Sequence, residues 1–135
     1  MYNSQRLNQI WTMTWVVYAI VPIIIGIDKY FYLIVDWNKF VSPFVASIIA
    51  PSTLISLLGV VEIGSGILMF ISPVLTSYMI AGVLGLICIN LALIPGYYDV
   101  ILRDVAIAFS YIVFGLLTEL KNKNQENNNN YNYKS

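Results

Sequence analysis

The chain has 135 residues, 59% of them apolar and only 10% charged, with a mean hydropathy of +0.75. A soluble domain carries about 25% charged residues and a small one leaves much of its surface wet, so this composition fits about four membrane spans of ~20 residues instead. Seven Lys and Arg balance seven Asp and Glu, histidine is absent and Cys88 is the single cysteine, which argues against nucleic-acid binding and removes His-based metal and haem sites, Ser-His-Asp and Cys-His nucleophiles and any disulfide within the chain.

Taken in chain order, Met1 to Gln9 is polar, and an uncharged apolar run then extends from Ile10 to Ile27. No small-x-small cleavage site follows it; instead Gly26-Ile27-Asp28-Lys29 leads into Tyr30–Val35. The run therefore reads as a retained first span over about 10–35, kinked at Pro22, rather than a signal peptide. Trp11 and Trp15 at one end, and Tyr30, Tyr32 and Trp37 at the other, suit interfacial aromatic belts.

Residues 37–50 differ. Trp37, Phe40, Val41, Phe44, Val45, Ile48 and Ile49 recur at helical spacing, which predicts an amphipathic helix too short to span and therefore lying in the interface. Further spans follow at about 52–71, 74–94 and 99–120, separated by Ser72-Pro73 and Pro95-Gly96. Residues 122–135, with the run Asn127–Asn130, have the composition of a disordered tail.

The expected fold is an all-α transmembrane four-helix bundle over residues 1–121, with a short interfacial amphipathic helix between spans 1 and 2. An even number of spans places both termini on one side, with Arg6, Lys121, Lys123 and Lys134 against Lys29, Lys39 and Arg103 on the other. The positive-inside bias then puts both termini in the cytoplasm.

Charge inside a span is the informative signal, because each such group disfavours insertion by at least ~2.5–3.5 kcal/mol and so turns toward the bundle interior. Glu62 lies in mid-span on a stripe of small residues, Ser52, Ser56, Gly59 and Gly66, that would let a neighbouring backbone come close. Asp28, Lys29, Asn90, Arg103 and Asp104 all belong to the leaflet opposite the termini. These six are the candidate residues of a polar intramembrane pocket, with Glu62–Arg103 as its expected buried pair and Asp104 pairing with Lys29 or capping the fourth helix. Plainer roles suit other positions. Asp99 favours a helix start, Tyr97-Tyr98 suits an interface anchor, and Cys88 suits packing on the small-residue stripe Ser77, Ala81, Gly85 and Ala92.

In order and spacing, Val21-Pro22-Ile23 with Gly26-Ile27-Asp28-Lys29, Asp36-Trp37, Gly59-Val60-Val61-Glu62-Ile63 with Gly66, Ile89-Asn90-Leu91, and Tyr98-Asp99-Val100 leading to Arg103-Asp104 resemble the DoxX-like family of small four-helix bacterial membrane proteins. The resemblance covers residues 10–120. It implies a four-helix bundle in the bacterial inner membrane, with ligand-facing groups in one leaflet and a quinone as the conceivable cofactor. It also implies association with a membrane or soluble redox partner. The quinone-linked sulfur oxidation known in the family would need a partner subunit or cysteine chemistry beyond the lone Cys88. Three roles stay open on the residues: an accessory subunit whose polar pocket takes a quinone, lipid or partner; a structural or assembly protein with charges as helix clamps; and a small proton-linked carrier working as a homo-oligomer. No catalytic constellation and no metal site stand out.

Overall fold

The computed structural model describes residues 4–134, and helices are the regular structure among them. Helix α1 spans Ser4–Phe31, a single 3-10 turn spans Trp37–Phe40, and α2 is the one-turn helix Pro43–Ala46. Helix α3 spans Pro51–Ile71, α4 Pro73–Ala92 and α5 Tyr98–Lys134.

Helices α1, α3, α4 and α5 are each long and apolar enough to cross a membrane, yet only 17, 28, 28 and 22% of the residues in their most apolar stretches are buried. The other apolar side chains, such as Met13, Val17 and Ile24 on α1 and Leu102, Phe109 and Leu116 on α5, face outward. Helices that are apolar on their outer faces as well as their inner ones require hydrocarbon around them. The chain is therefore a multi-pass membrane protein, and its four long helices form the expected bundle.

Helix α1 packs chiefly on α3, α4 packs chiefly on α5, and α3 against α4 joins the two pairs. Small residues set the first pairing. A side-chain carbon on Gly26 would run into the carbonyl of Gly59 and into Ile63, and one on Gly66 would run into Ile23 and the carbonyl of Ala19. The α1 and α3 backbones thus touch at two levels, on the stripe that also carries Glu62. The corresponding stripe of α4 is only partly used: Ser77 is buried near Gly115 of α5, whereas Gly85 faces open space.

Proline 22 lies inside α1 without ending it. Its ring nitrogen has no proton for the carbonyl four residues earlier, that of Tyr18. The Tyr111 hydroxyl of α5 donates to that carbonyl at 3.3 Å, so a neighbouring helix satisfies the acceptor that the proline frees. Around this contact the Tyr18 and Tyr111 rings lie 4.4 Å apart, and Ala19, Met69, Ile80 and Phe114 complete the core. Trp11 and Trp15 belong to the same aromatic cluster. They stack on each other at 5.4 Å, and their indole N–H groups donate to Thr118 Oγ1 and the Met69 carbonyl.

Three elements depart from the sequence expectation. Helix α1 ends at Phe31 instead of continuing to 35, because Tyr32 is left-handed (φ 53°) and the Asp28 carboxylate takes the Leu33 and Ile34 N–H groups. The single amphipathic helix expected over 37–50 is split in two. Asp36 caps the 3-10 turn, Val41 and Ser42 are extended, and Ser42 with Pro43 starts α2 afresh, as a residue preceding proline prefers. The tail expected to be disordered from 122 instead continues α5 as helix through Lys134, since adding residues to a formed helix is far easier than nucleating one.

Two outcomes follow from the packing. In reversible unfolding in mixed micelles, Tyr111→Phe should destabilise by about 1 kcal/mol. The same change in a Pro22→Ala background, where the backbone bond is restored, should have almost no effect. Gly66→Val should destabilise by about 1–3 kcal/mol through overpacking, while Gly64→Ala, which points into open space, should be neutral or stabilising by up to ~1 kcal/mol.

Candidate functional site

The end of the bundle opposite the termini gathers most of its buried charge. Lys29 Nζ lies 2.7 Å from Glu62 Oε2, with Lys29 only 4% exposed and the Glu62 side chain 17%. The two meet because α1 and α3 are antiparallel and each side chain leans toward the N-terminus of its own helix. Lys29 leans down from the last turn of α1, and Glu62 leans up from the middle of α3. The Gly26–Gly59 approach keeps the two helices close enough for the bond to form.

Trp37 covers this pair. Its ring centroid lies 3.8 Å from Lys29 Nζ, a cation–π contact, and its indole N–H donates to Asp28 Oδ2 at 2.8 Å. Asp28, 4% exposed, also accepts the Leu33 and Ile34 N–H groups at 2.9 Å on its other oxygen. Three N–H donors therefore satisfy Asp28, leaving Lys29 to Glu62.

Asn90 of α4 holds the connecting segment from the other side. Its Oδ1 accepts from the Ser42 N–H at 3.1 Å, and its Nδ2 donates to the Phe40 carbonyl. Phe40 packs edge-on against Tyr97 at 5.3 Å and lies 6.0 Å from Trp37. The segment between α1 and α3 is thus tied to both halves of the bundle. Its fully buried member, Ser42, is polar, while Leu33, Ile34, Phe44 and Ile48 point outward.

Asp104 is buried on α5. Its hydrogen-bond partner is the neighbouring Arg103, whose Nε donates to Asp104 Oδ1 at 3.1 Å and whose side chain is 62% exposed. This corrects the expected Glu62–Arg103 pair. Successive helical residues point about 100° apart, so turning Asp104 into the bundle turns Arg103 out of it, and Glu62 takes Lys29 instead. Asp104 accordingly pairs with Arg103 and not with Lys29.

Of the six candidate residues, Asp28, Lys29 and Glu62 meet under Trp37, Asn90 holds the loop, Asp104 is buried beside its neighbour Arg103, and Arg103 itself is exposed. Among the described residues every buried side-chain nitrogen or oxygen has a hydrogen-bond partner, and no group of three or more Asp, Glu or Cys side chains is arranged to hold a metal. An apolar groove between α1 and α5, lined by Tyr18, Ala106, Phe109, Ser110 and Phe114, lies away from the charges.

Trp37, expected as an interfacial anchor, lies over Lys29 instead. Glu119, for which the sequence suggested no role, accepts from the Tyr78 hydroxyl at 3.1 Å. A carboxylate one residue before the end of an apolar run was the available signal. No protein-family model matches the chain, and no curated protein or solved structure is significantly similar to it.

The ion pair makes a specific thermodynamic prediction. Glu62→Leu alone should destabilise by about 3–5 kcal/mol because it strands a buried ammonium, and Lys29→Met with Glu62→Leu should recover most of that loss. A double-mutant cycle from unfolding in mixed micelles measures the coupling.

Proposed function

We propose that this protein is an accessory subunit of the DoxX-like type in the bacterial inner membrane, with both termini cytoplasmic and without catalytic groups of its own. The observation that carries this reading is the Lys29–Glu62 pair, buried at membrane depth and closed over by Trp37. Ionisable groups held inside a membrane domain serve ligands, protons or partners by default, and these belong to the positions on which the family resemblance rests. The ligand, a quinone or lipid head group or a segment of a partner chain, displaces the Trp37 indole and accepts a hydrogen bond from the Lys29 ammonium. The orientation gains support from Lys29 itself. Paired inside the bundle, it no longer counts as a loop charge, which leaves Lys39 and Arg103 against Arg6, Lys121, Lys123 and Lys134.

A second reading is favoured by a specific observation. Every buried polar side chain among the described residues finds its partner within the chain, as a helix clamp with no ligand would require. Native mass spectrometry after gentle extraction in native lipids separates the two. The accessory reading expects a stoichiometric quinone, lipid or partner subunit on the wild type that Lys29→Met/Glu62→Leu no longer retains. Identical bare spectra for both proteins would establish the clamp instead.

A further inference from the structure

We propose that Arg103 holds the phosphate of a membrane phospholipid in the leaflet opposite the termini. This site is separate from the Lys29–Glu62 pair and does not depend on the role given to it. Arg103 stands five residues into α5, about 7 Å along the helix from Tyr98. That depth lies near the boundary between hydrocarbon and head groups when Tyr97 and Tyr98 sit in the interface. The Arg103 side chain is 62% exposed, and Leu102, Val105 and Phe109 around the same part of α5 are 73, 50 and 66% exposed, so this stretch of the helix meets lipid.

The guanidinium is aimed as well as exposed. Its Nε is committed to the buried Asp104 carboxylate at 3.1 Å, which fixes the plane of the group. Its two terminal nitrogens make no hydrogen bond to the described residues. Asp99, one turn above and exposed, stands at the spacing of a favourable helix pair, yet no oxygen of it comes within 4.0 Å of Arg103, whose ion-pair partner is Asp104. These two nitrogens are therefore free of acceptors among the described residues. A planar fork of donors matches the oxygens of a phosphodiester. The side chain also leans toward the N-terminus of α5, which is the direction of the head groups. Asp104 is the positioning residue of this site.

The test uses the full-length protein in detergent, titrated with phosphatidylglycerol, with phosphatidylcholine, and with diacylglycerol as the phosphate-free control. Bound lipid is counted by native mass spectrometry. Both phospholipids should bind and diacylglycerol should not. Arg103→Gln should lower phosphatidylglycerol retention about tenfold, the change that one charge-assisted contact supports. Asp104→Asn, which keeps the arginine but loosens its aim, should lower it by a smaller factor and guards against a folding defect in the first variant. Equal retention by wild type and Arg103→Gln overturns the proposal, as does diacylglycerol binding as well as the phospholipids. Displacement of the lipid by millimolar inorganic phosphate would overturn the lipid assignment in favour of a free anion.

Discussion

An ammonium and a carboxylate, each disfavoured in hydrocarbon, are held 2.7 Å apart between α1 and α3, and much of the half of this protein opposite its termini is arranged around that bond. A charge at membrane depth must be paired or carried to the interface. Pairing Lys29 with Glu62 needs two helices in one register at close range, which glycines at 26, 59 and 66 permit. With the ammonium in place, the indole of Trp37 packs over it, Asp28 secures that indole, and the chain leaving α1 folds across the end of the bundle. The pair, the glycine contacts and the loop are thus one construction.

The opposite half solves a different problem by similar means. Here the difficulty is a backbone carbonyl, released by Pro22 and unable to find water in the bilayer. The Tyr111 hydroxyl meets it from α5. Trp11, Trp15 and Thr118 extend the same principle, each directing its polar atom to an acceptor within the bundle while its apolar body fills the core. Lys121 closes this end over the Trp11 ring at 3.4 Å. Both ends use tryptophan faces to receive cations, which places a flat apolar group where a bare ammonium would otherwise need water.

The contrast between Lys29 and Arg103 follows from residue chemistry and position. Lys29 is a compact charge on a flexible stem and reaches inward to a single carboxylate. Arg103 carries a rigid, multidentate group, of which one nitrogen serves Asp104 and the two terminal ones make no hydrogen bond to the described residues. Asp104, itself buried, anchors Arg103 through its Nε.

Fold class was legible in the sequence because bilayer thickness imposes a length and an uninterrupted apolar composition on each span. Breaks at Ser72-Pro73 and Pro95-Gly96 are local chemistry, and they lie where the structure turns. The small-residue stripe around Glu62 was legible for the same reason: steps of three and four place residues on one helix face whatever that face meets. The partner of Glu62 was not legible. Lys29 and Arg103 are both cations of the same leaflet, and only the packing of α1 on α3 and the rotation of α5 about its axis decide which one points inward. The split of residues 37–50 and the place of Trp37 were hidden likewise, since periodicity records spacing but not the side chains of Asp28 and Asn90 that bind the loop backbone from distant helices. Composition and local pattern thus determined that this chain crosses a membrane four times with charge inside it. Tertiary structure alone decided how those charges pair, because pairing depends on helix rotation and register, which no single helix specifies.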